Sequence, residues 1–112
     1  MTSKKKIVLI TGAESGIGKS TSKIFLNNNF RVIGTSLKKN KYKYIKDFDN
    51  YQIDITNNTE WRELASIIRK KYSRIDVLVN SAGVRLSGNL ETTSMNDCSY
   101  HFNNNVTGTF LA

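Results

Sequence analysis

The chain has 112 residues, of which 38% are hydrophobic and 10% aromatic, enough for one domain with a core. No run of 18 apolar residues is present, which excludes a membrane-spanning helix, and the single cysteine, Cys98, excludes an internal disulfide and points to a reducing, cytoplasmic setting. The net charge of +8 is spread along a chain rich in Lys, Asn and Ile, so it reads as compositional bias rather than as a nucleic-acid surface. The basic start, Met1-Thr2-Ser3-Lys4-Lys5-Lys6, is followed by an apolar run too short for a signal peptide.

That run, Ile7 to Ile10, is apolar without alternation and predicts a strand covered on both faces. It leads through Thr11 into Gly12-Ala13-Glu14-Ser15-Gly16-Ile17-Gly18, a Gly-x-x-x-Gly-x-Gly turn, and then into a helix over Gly16 to Asn27. A strand, a glycine turn and a helix N-terminus leave backbone N–H groups and a helix dipole free to meet a phosphate. Gly12 and Gly16 are expected to let the main chain approach a ligand, and Gly18 to let the helix pack on the strand. The expected inward stripe of the helix is Ile17, Thr21, Ile24 and Phe25, and Asn29 sits where a left-handed C-cap is wanted.

A second strand is expected over Arg31 to Ser36, a charged loop with at most one helical turn over Leu37 to Asn50, and a third strand over Tyr51 to Ile55. Trp61, Leu64, Ala65, Ile68 and Tyr72 share one face of a second helix, with Asn57 and Glu60 in a capping-box arrangement. A fourth strand, Ile75 to Asn80, ends at Ser81-Ala82-Gly83, and Val84 to Thr93 reads as loop. A third helix begins after Ser94 and carries Phe102, Val106, Phe110 and Leu111 as apolar marks. The alternation of strands and helices predicts an α/β fold with a parallel sheet of about four strands joined by right-handed crossovers.

Four stretches resemble the short-chain dehydrogenase/reductase family. Thr11-Gly12-Ala13-Glu14-Ser15-Gly16-Ile17-Gly18 is similar to its cofactor motif, Thr-Gly-x-x-x-Gly-Ile-Gly. Asp54-Ile55 falls where the family has an Asp that contacts adenine. Asn80-Ser81-Ala82-Gly83 is similar to its Asn-Asn-Ala-Gly, with Ser81 as a departure. Asn105-Val106-Thr107-Gly108 resembles the helix segment that carries its catalytic Asn. The resemblance implies a Rossmann-like fold, a doubly wound parallel sheet with its strands in the order 3-2-1-4, together with a nicotinamide dinucleotide and hydride transfer with an alcohol or carbonyl substrate. It implies Thr11, Gly12, Ser15, Gly16, Ile17, Gly18, Asp54, Ile55, Asn80, Ala82 and Gly83 as cofactor contacts and Asn105 as a member of a proton relay. It also implies a homo-oligomer for the whole enzyme, with neither nucleic acid nor membrane as a partner.

The end of strand two, Thr35-Ser36-Leu37-Lys38-Lys39, carries no acid and two ammoniums, so Ser36 and Lys38 are expected to favour NADP(H) over NAD(H). The family's serine and its tyrosine–lysine pair come later than Ala112. The 112 residues therefore read as the N-terminal, cofactor-binding part of one Rossmann domain, expected to be inactive alone. Tyr42-x-x-x-Lys46 has the tyrosine–lysine spacing but lies between strands two and three, and is rejected. Two other readings stand beside this one. The first is a dinucleotide-binding module without chemistry. The second is a phosphate-loop NTPase built on Gly18-Lys19-Ser20, against which strand four ends in Asn80 rather than a magnesium-binding Asp.

Overall fold

In the computed structural model, Ile7–Thr11 forms β1, buried at every position. The other strands are β2 (Arg31–Ser36), β3 (Phe48–Gln52) and β4 (Val77–Asn80). All pair in parallel, in the order β3-β2-β1-β4. The helices are α1 (Gly16–Asn27), α2 (Asn58–Lys71), α3 (Met95–Phe102) and α4 (Gly108–Leu111), the last two joined by a π turn over Asn103–Thr107. The described residues are 5–14, 16–38, 44–83 and 91–112, apart from the side chain of Phe110. Ser15, Lys39, Lys41, Tyr42, Lys43 and the expected loop over 84–90 lie outside them.

Period-two alternation sorts the strands into two cores. Ile7, Leu9 and Ile33 pack with Ile53, Ile55, Trp61, Leu64, Ile68 and Tyr72 under α2. Val8, Ile10 and Val32 pack on the opposite face with Ala13, Phe25, Leu26, Phe30, Phe48, Val77 and Val79. The α/β, doubly wound architecture and strand order agree with the sequence expectation.

Local details differ from it. In α1 the inward residues are Gly18 and Ser22, with Phe25 and Leu26 beyond them, whereas Ile17 and Ile24 are 78% and 62% exposed. The helix phase is set by Gly18, which lies directly against the Gly12 carbonyl and turns its own face inward. Asn29 does adopt the left-handed conformation, with φ of 65°. Its N–H donates to Leu26 O and that of Phe30 to Phe25 O, which closes a Schellman cap. The Phe25 and Phe30 rings meet edge to face at 4.8 Å and seal it.

The third strand is Phe48–Gln52, not Tyr51–Ile55. Its polar residues are stable in the ladder because each finds a partner. Asp49 pairs with Arg31 at 2.7 Å, Asn50 donates to Ser36 Oγ at 2.8 Å, and Gln52 donates to the Leu37 carbonyl at 3.2 Å. Ile53 and Ile55 are buried in the α2 core instead of extending the strand. On α2, Trp61, Leu64 and Ile68 face inward as expected and Ala65 is exposed. Asn57 accepts from the Glu60 N–H, but Glu60 reaches back to the Asp54 N–H rather than completing the box on Asn57. The fourth strand starts at Val77, because the Asp76 carboxylate turns in to accept the Ile7 N–H at 2.7 Å. On the last helices Leu111 packs on the α2 core, while Phe102 and Val106 are exposed.

Three aspartates hold the end of the sheet away from the glycine turn. Asp47 bonds Lys5 at 2.6 Å and Asp76 bonds Ile7 N. Asp49 gathers Arg31, Lys71 and the Tyr72 hydroxyl. The Lys5 hydrogen bond holds the Asp47 carboxyl below its ordinary range, and the Ile7 N–H does the same for Asp76. Burial pushes Asp49 up, but the hydrogen bonds and charges of Tyr72, Arg31 and Lys71 outweigh it and leave it lowered. A carboxyl with a lowered folded pKa stabilises the fold fully above its unfolded pKa, and loses that contribution as pH falls through the folded value. The urea midpoint is therefore expected to be flat near neutrality and to fall below about pH 4, near the unfolded value. An equal midpoint at pH 7 and pH 3 would contradict these contacts.

Candidate functional site

The glycine turn leaves β1 at its carboxyl end, between β1 and β4, where the order of the sheet reverses. In open parallel sheets this reversal point opens a crevice. Gly12 lies at φ 65° and Gly16 at φ 54°, both left-handed. The two glycines serve different contacts. A Cβ on Gly12 would lie 2.9 Å from Ala82 Cα, so this glycine admits the loop after β4. Among the described residues a Cβ on Gly16 would meet nothing within 4 Å, so this glycine faces open space at the start of α1. Gly18 sits beneath the turn, where a Cβ would collide with the Gly12 carbonyl and lie 2.7 Å from Ser81 Oγ.

Thr11 ties the two loops together. Its Oγ1 accepts the Ser81 N–H at 3.1 Å and the Ala82 N–H at 3.0 Å, and its carbonyl accepts the Ser81 hydroxyl. Thr11 is buried, and these contacts occupy its side chain with the loop after β4. Ser81, the departure from the family pattern, is thereby explained: its short hydroxyl reaches the Thr11 carbonyl. Asn80 pairs with Thr11 in the sheet register, and as a residue it is exposed. Ile17, also exposed, opens the first turn of α1 beside Gly16.

Asn105 approaches the same loop. A Cβ on Gly83 would lie 3.0 Å from Asn105 Oδ1, so Gly83 admits the asparagine. Asn105 sits in the π turn, where the Gly108 N–H donates to the Asn103 carbonyl five residues back. The expected helix was continuous, and nothing in the run Asn103-Asn104-Asn105 signals the insertion. Such turns recur at functional sites because they re-aim side chains. Gly108 fits against Ile55, whose Cδ1 would be 2.6 Å from an added Cβ. Ile55 is buried and its carbonyl accepts the Trp61 indole N–H at 2.7 Å. Asp54 lies two residues beyond β3 and caps the next turn: its Oδ1 accepts from Thr56 N and Thr56 Oγ1.

At the end of β2, the Ser36 hydroxyl donates to the Lys38 carbonyl at 2.8 Å and accepts from Asn50. These bonds hold the bend that presents Lys38, an exposed residue. Ser15 lies outside the described residues. Asn50 and Glu14, which were not expected in the site, join it through a hydrogen bond of 3.0 Å. Their sequence separation hides the contact, since only the β2–β3 register brings them together. Lys19 lines a cavity of about 410 Å³ with Glu14, Ser22, Lys23 and Phe48, beside β3 and away from β4, which is not where a phosphate-loop lysine would serve. Among the described residues no cluster of His, Cys, Asp and Glu suits a metal ion, and no helix is long and apolar enough to cross a membrane.

The family model described as short chain dehydrogenase matches residues 6–112. The chain belongs to the short-chain dehydrogenase family. A 3-oxoacyl-acyl-carrier-protein reductase of Thermotoga maritima is 35% identical, over 94% of this chain and 46% of its own length. An NADP-dependent 3-hydroxy acid dehydrogenase of Escherichia coli is 34% identical, over 71% of this chain and 34% of its own length. Among solved structures, ElxO with NADP bound superposes with a TM-score of 0.88 at 38% identity, covering 96% of this chain and 47% of ElxO. A short chain dehydrogenase of Leptospira borgpetersenii with bound NAD+ gives 0.88 at 30% identity, covering 96% and 42%. This short-chain dehydrogenase chain thus spans under half the length of the relatives it matches.

Proposed function

We propose that these residues form the dinucleotide-binding part of an oxidoreductase that moves hydride between NADP(H) and an alcohol or carbonyl carbon. The observation that carries this reading is the convergence at the β1–β4 reversal point. There the left-handed Gly12 turn, the loop Asn80–Gly83 and Asn105 are held together by Thr11 and by glycine contacts. The open space in front of Gly16, which a side chain there would narrow, supports placing a diphosphate against the first turn of α1.

In this reading the N–H groups at Gly16, Ile17 and Gly18 face the diphosphate, Gly12 shapes the turn before them, and the family motif adds Ser15 as a cofactor contact. The Asp54 carboxylate and the Ile55 backbone border adenine. Asn80, Ala82 and Gly83 border the ribose on the β4 side, and Thr11 holds them in place. Lys38 meets the 2′-phosphate, with Ser36 fixing the bend that carries it. The bound dinucleotide supplies or accepts the hydride. Asn105 touches the water that relays a proton toward the substrate side.

The family resemblance further supports a single domain running through all 112 residues, a homo-oligomeric whole enzyme and a cytoplasmic setting. The substrate is an alcohol or carbonyl compound. The alternative, a binding module without chemistry, shares the same dinucleotide contacts.

Fluorescence titration with NADPH and NADH tests the reading. Saturable binding is expected, tighter for NADPH by about fivefold, the size of one part-exposed charge contact. Tighter NADH binding would overturn the preference, and the absence of binding by either would overturn the reading as a whole.

A further inference from the structure

Glu14 lies in the glycine turn, Ser36 at the end of β2 and Asn50 in the middle of β3. The parallel register sets Asn50 beside Gly34. From there its Nδ2 donates both ways, to Glu14 Oε1 at 3.0 Å and to Ser36 Oγ at 2.8 Å. Gly34 makes the room: a Cβ at that position would lie 2.7 Å from Asn50 Oδ1 and 2.6 Å from Ala13 Cβ.

The amide is held in this orientation at a cost. Asn50 Oδ1 is buried and accepts no hydrogen bond among the described residues, an unfavourable state for a buried acceptor. Turning the amide over would press Oδ1 against the Glu14 carboxylate, like against like. The charge on Glu14 therefore fixes which way Asn50 points, and Asn50 in turn fixes where that charge sits.

The position matters for the choice of cofactor. The β2 end carries no acid of its own, from Thr35 to Lys38. Among the described residues the cavity beside it is lined by two acids, Glu14 and Asp49, and by Lys19, Lys23 and Lys71. Asp49 is engaged by Arg31, Lys71 and Tyr72. Glu14 is thus a carboxylate already linked to the Ser36 bend, through one amide. Released, it would repel a 2′-phosphate there and accept a hydrogen bond from a bare ribose hydroxyl, the usual work of an acid at that end of the sheet.

We propose that Asn50 is a positioning residue for cofactor choice: it pins the Glu14 carboxylate to β3 and keeps it off a 2′-phosphate held beside Ser36 and Lys38. This rests on the dinucleotide reading above and adds the element that decides between the two dinucleotides.

The test is a double-mutant cycle with NADPH and NADH titrated separately against the parent chain, Asn50→Ala, Glu14→Gln and the double variant. In Asn50→Ala, NADPH affinity is expected to fall about fivefold relative to NADH, the size of a part-exposed charge effect. Glu14→Gln is expected to keep or raise the preference for NADPH. The double variant is expected to regain the parent ratio, because the charge that Asn50 restrains is gone. Asn50→Ser, whose hydroxyl is too short to reach Glu14, is expected to repeat the fall and provides a second route if the alanine variant does not fold.

An unchanged ratio in the Asn50 variants overturns the proposal. So does an equal loss for both dinucleotides, which would mark Asn50 as structural support, and so does a double variant that keeps the low ratio. A parent chain that binds neither dinucleotide would remove the dinucleotide reading itself, which separates the two failures.

Discussion

Gly18→Ala is expected to cost the chain about 3 kcal/mol or more, toward the upper end for overpacking a tight site, and to abolish dinucleotide binding. The added methyl would collide with the Gly12 carbonyl and come 2.7 Å from Ser81 Oγ. Backbone is the obstacle, so no side-chain rotation relieves it. The start of α1 would have to lift away from the turn, and the loop after β4 would move with it because Ser81 and Ala82 are bonded to Thr11. Gly16→Ala is the control. Its methyl meets no atom of the described residues within 4 Å, so the expected cost is that of its left-handed backbone, about 1–2 kcal/mol. Urea denaturation of both variants separates collision from strain. Equal midpoints for Gly18→Ala and the parent would show that Gly18 is not packed as described.

Trp61→Ala is expected to destabilise the chain by about 3–5 kcal/mol, the range for truncating a buried aromatic. That is a large share of the roughly 5–15 kcal/mol available to a domain. Trp61 is buried with Leu64, Ile68 and Ile55 in the α2 core. Its indole N–H also satisfies the carbonyl of Ile55, the residue whose side chain Gly108 closes on. Trp61→Phe keeps most of the packing but leaves that buried carbonyl without its donor, and is expected to cost about 1–3 kcal/mol. Thermal melts of the two variants separate the contributions. Parent-like stability in both would place Trp61 outside the core.

Most of the individual strands and helices were legible because hydrophobic period and glycine spacing are local signals, whereas the strand order came with the family resemblance, since pairing joins residues far apart in the chain. The Asn29 cap was legible too, because there the residue type answers a backbone demand. β3 was misplaced because its stability does not come from apolar residues. Phe48–Gln52 is held by Arg31, Ser36 and Leu37, partners that become visible only once β2 lies alongside. Ile53 and Ile55 looked like strand residues and are core residues just beyond it. The stripe on α1 was misjudged for a related reason. Apolar character favoured Ile17 and Ile24, but the close contact of Gly18 with Gly12 determined which face turned inward.

The candidate site was legible as motifs but not as an arrangement. Gly12 and Gly16 look equivalent in the sequence, yet one admits Ala82 and the other faces open space. Thr11 and Ile55 fit the family pattern, but their contacts here are a latch to Ser81 and Ala82 and a seat for Gly108. The link from Glu14 through Asn50 to Ser36 joins three elements and has no short-range signature at all.

Between Asn103 and Thr107, chain length acts as an angle. Each residue of an α-helix advances about 100° around its axis. The wider π turn takes up one residue more than an α turn would, and that surplus lets Asn105 address Gly83 while Gly108 addresses Ile55. Removing any one residue of the five would restore α geometry and swing one of these contacts out of line by about that angle. A substitution in this segment changes a side chain. An insertion or deletion changes the spacing that aims Asn105 and Gly108 together, so here the count of residues is under tighter constraint than their identity.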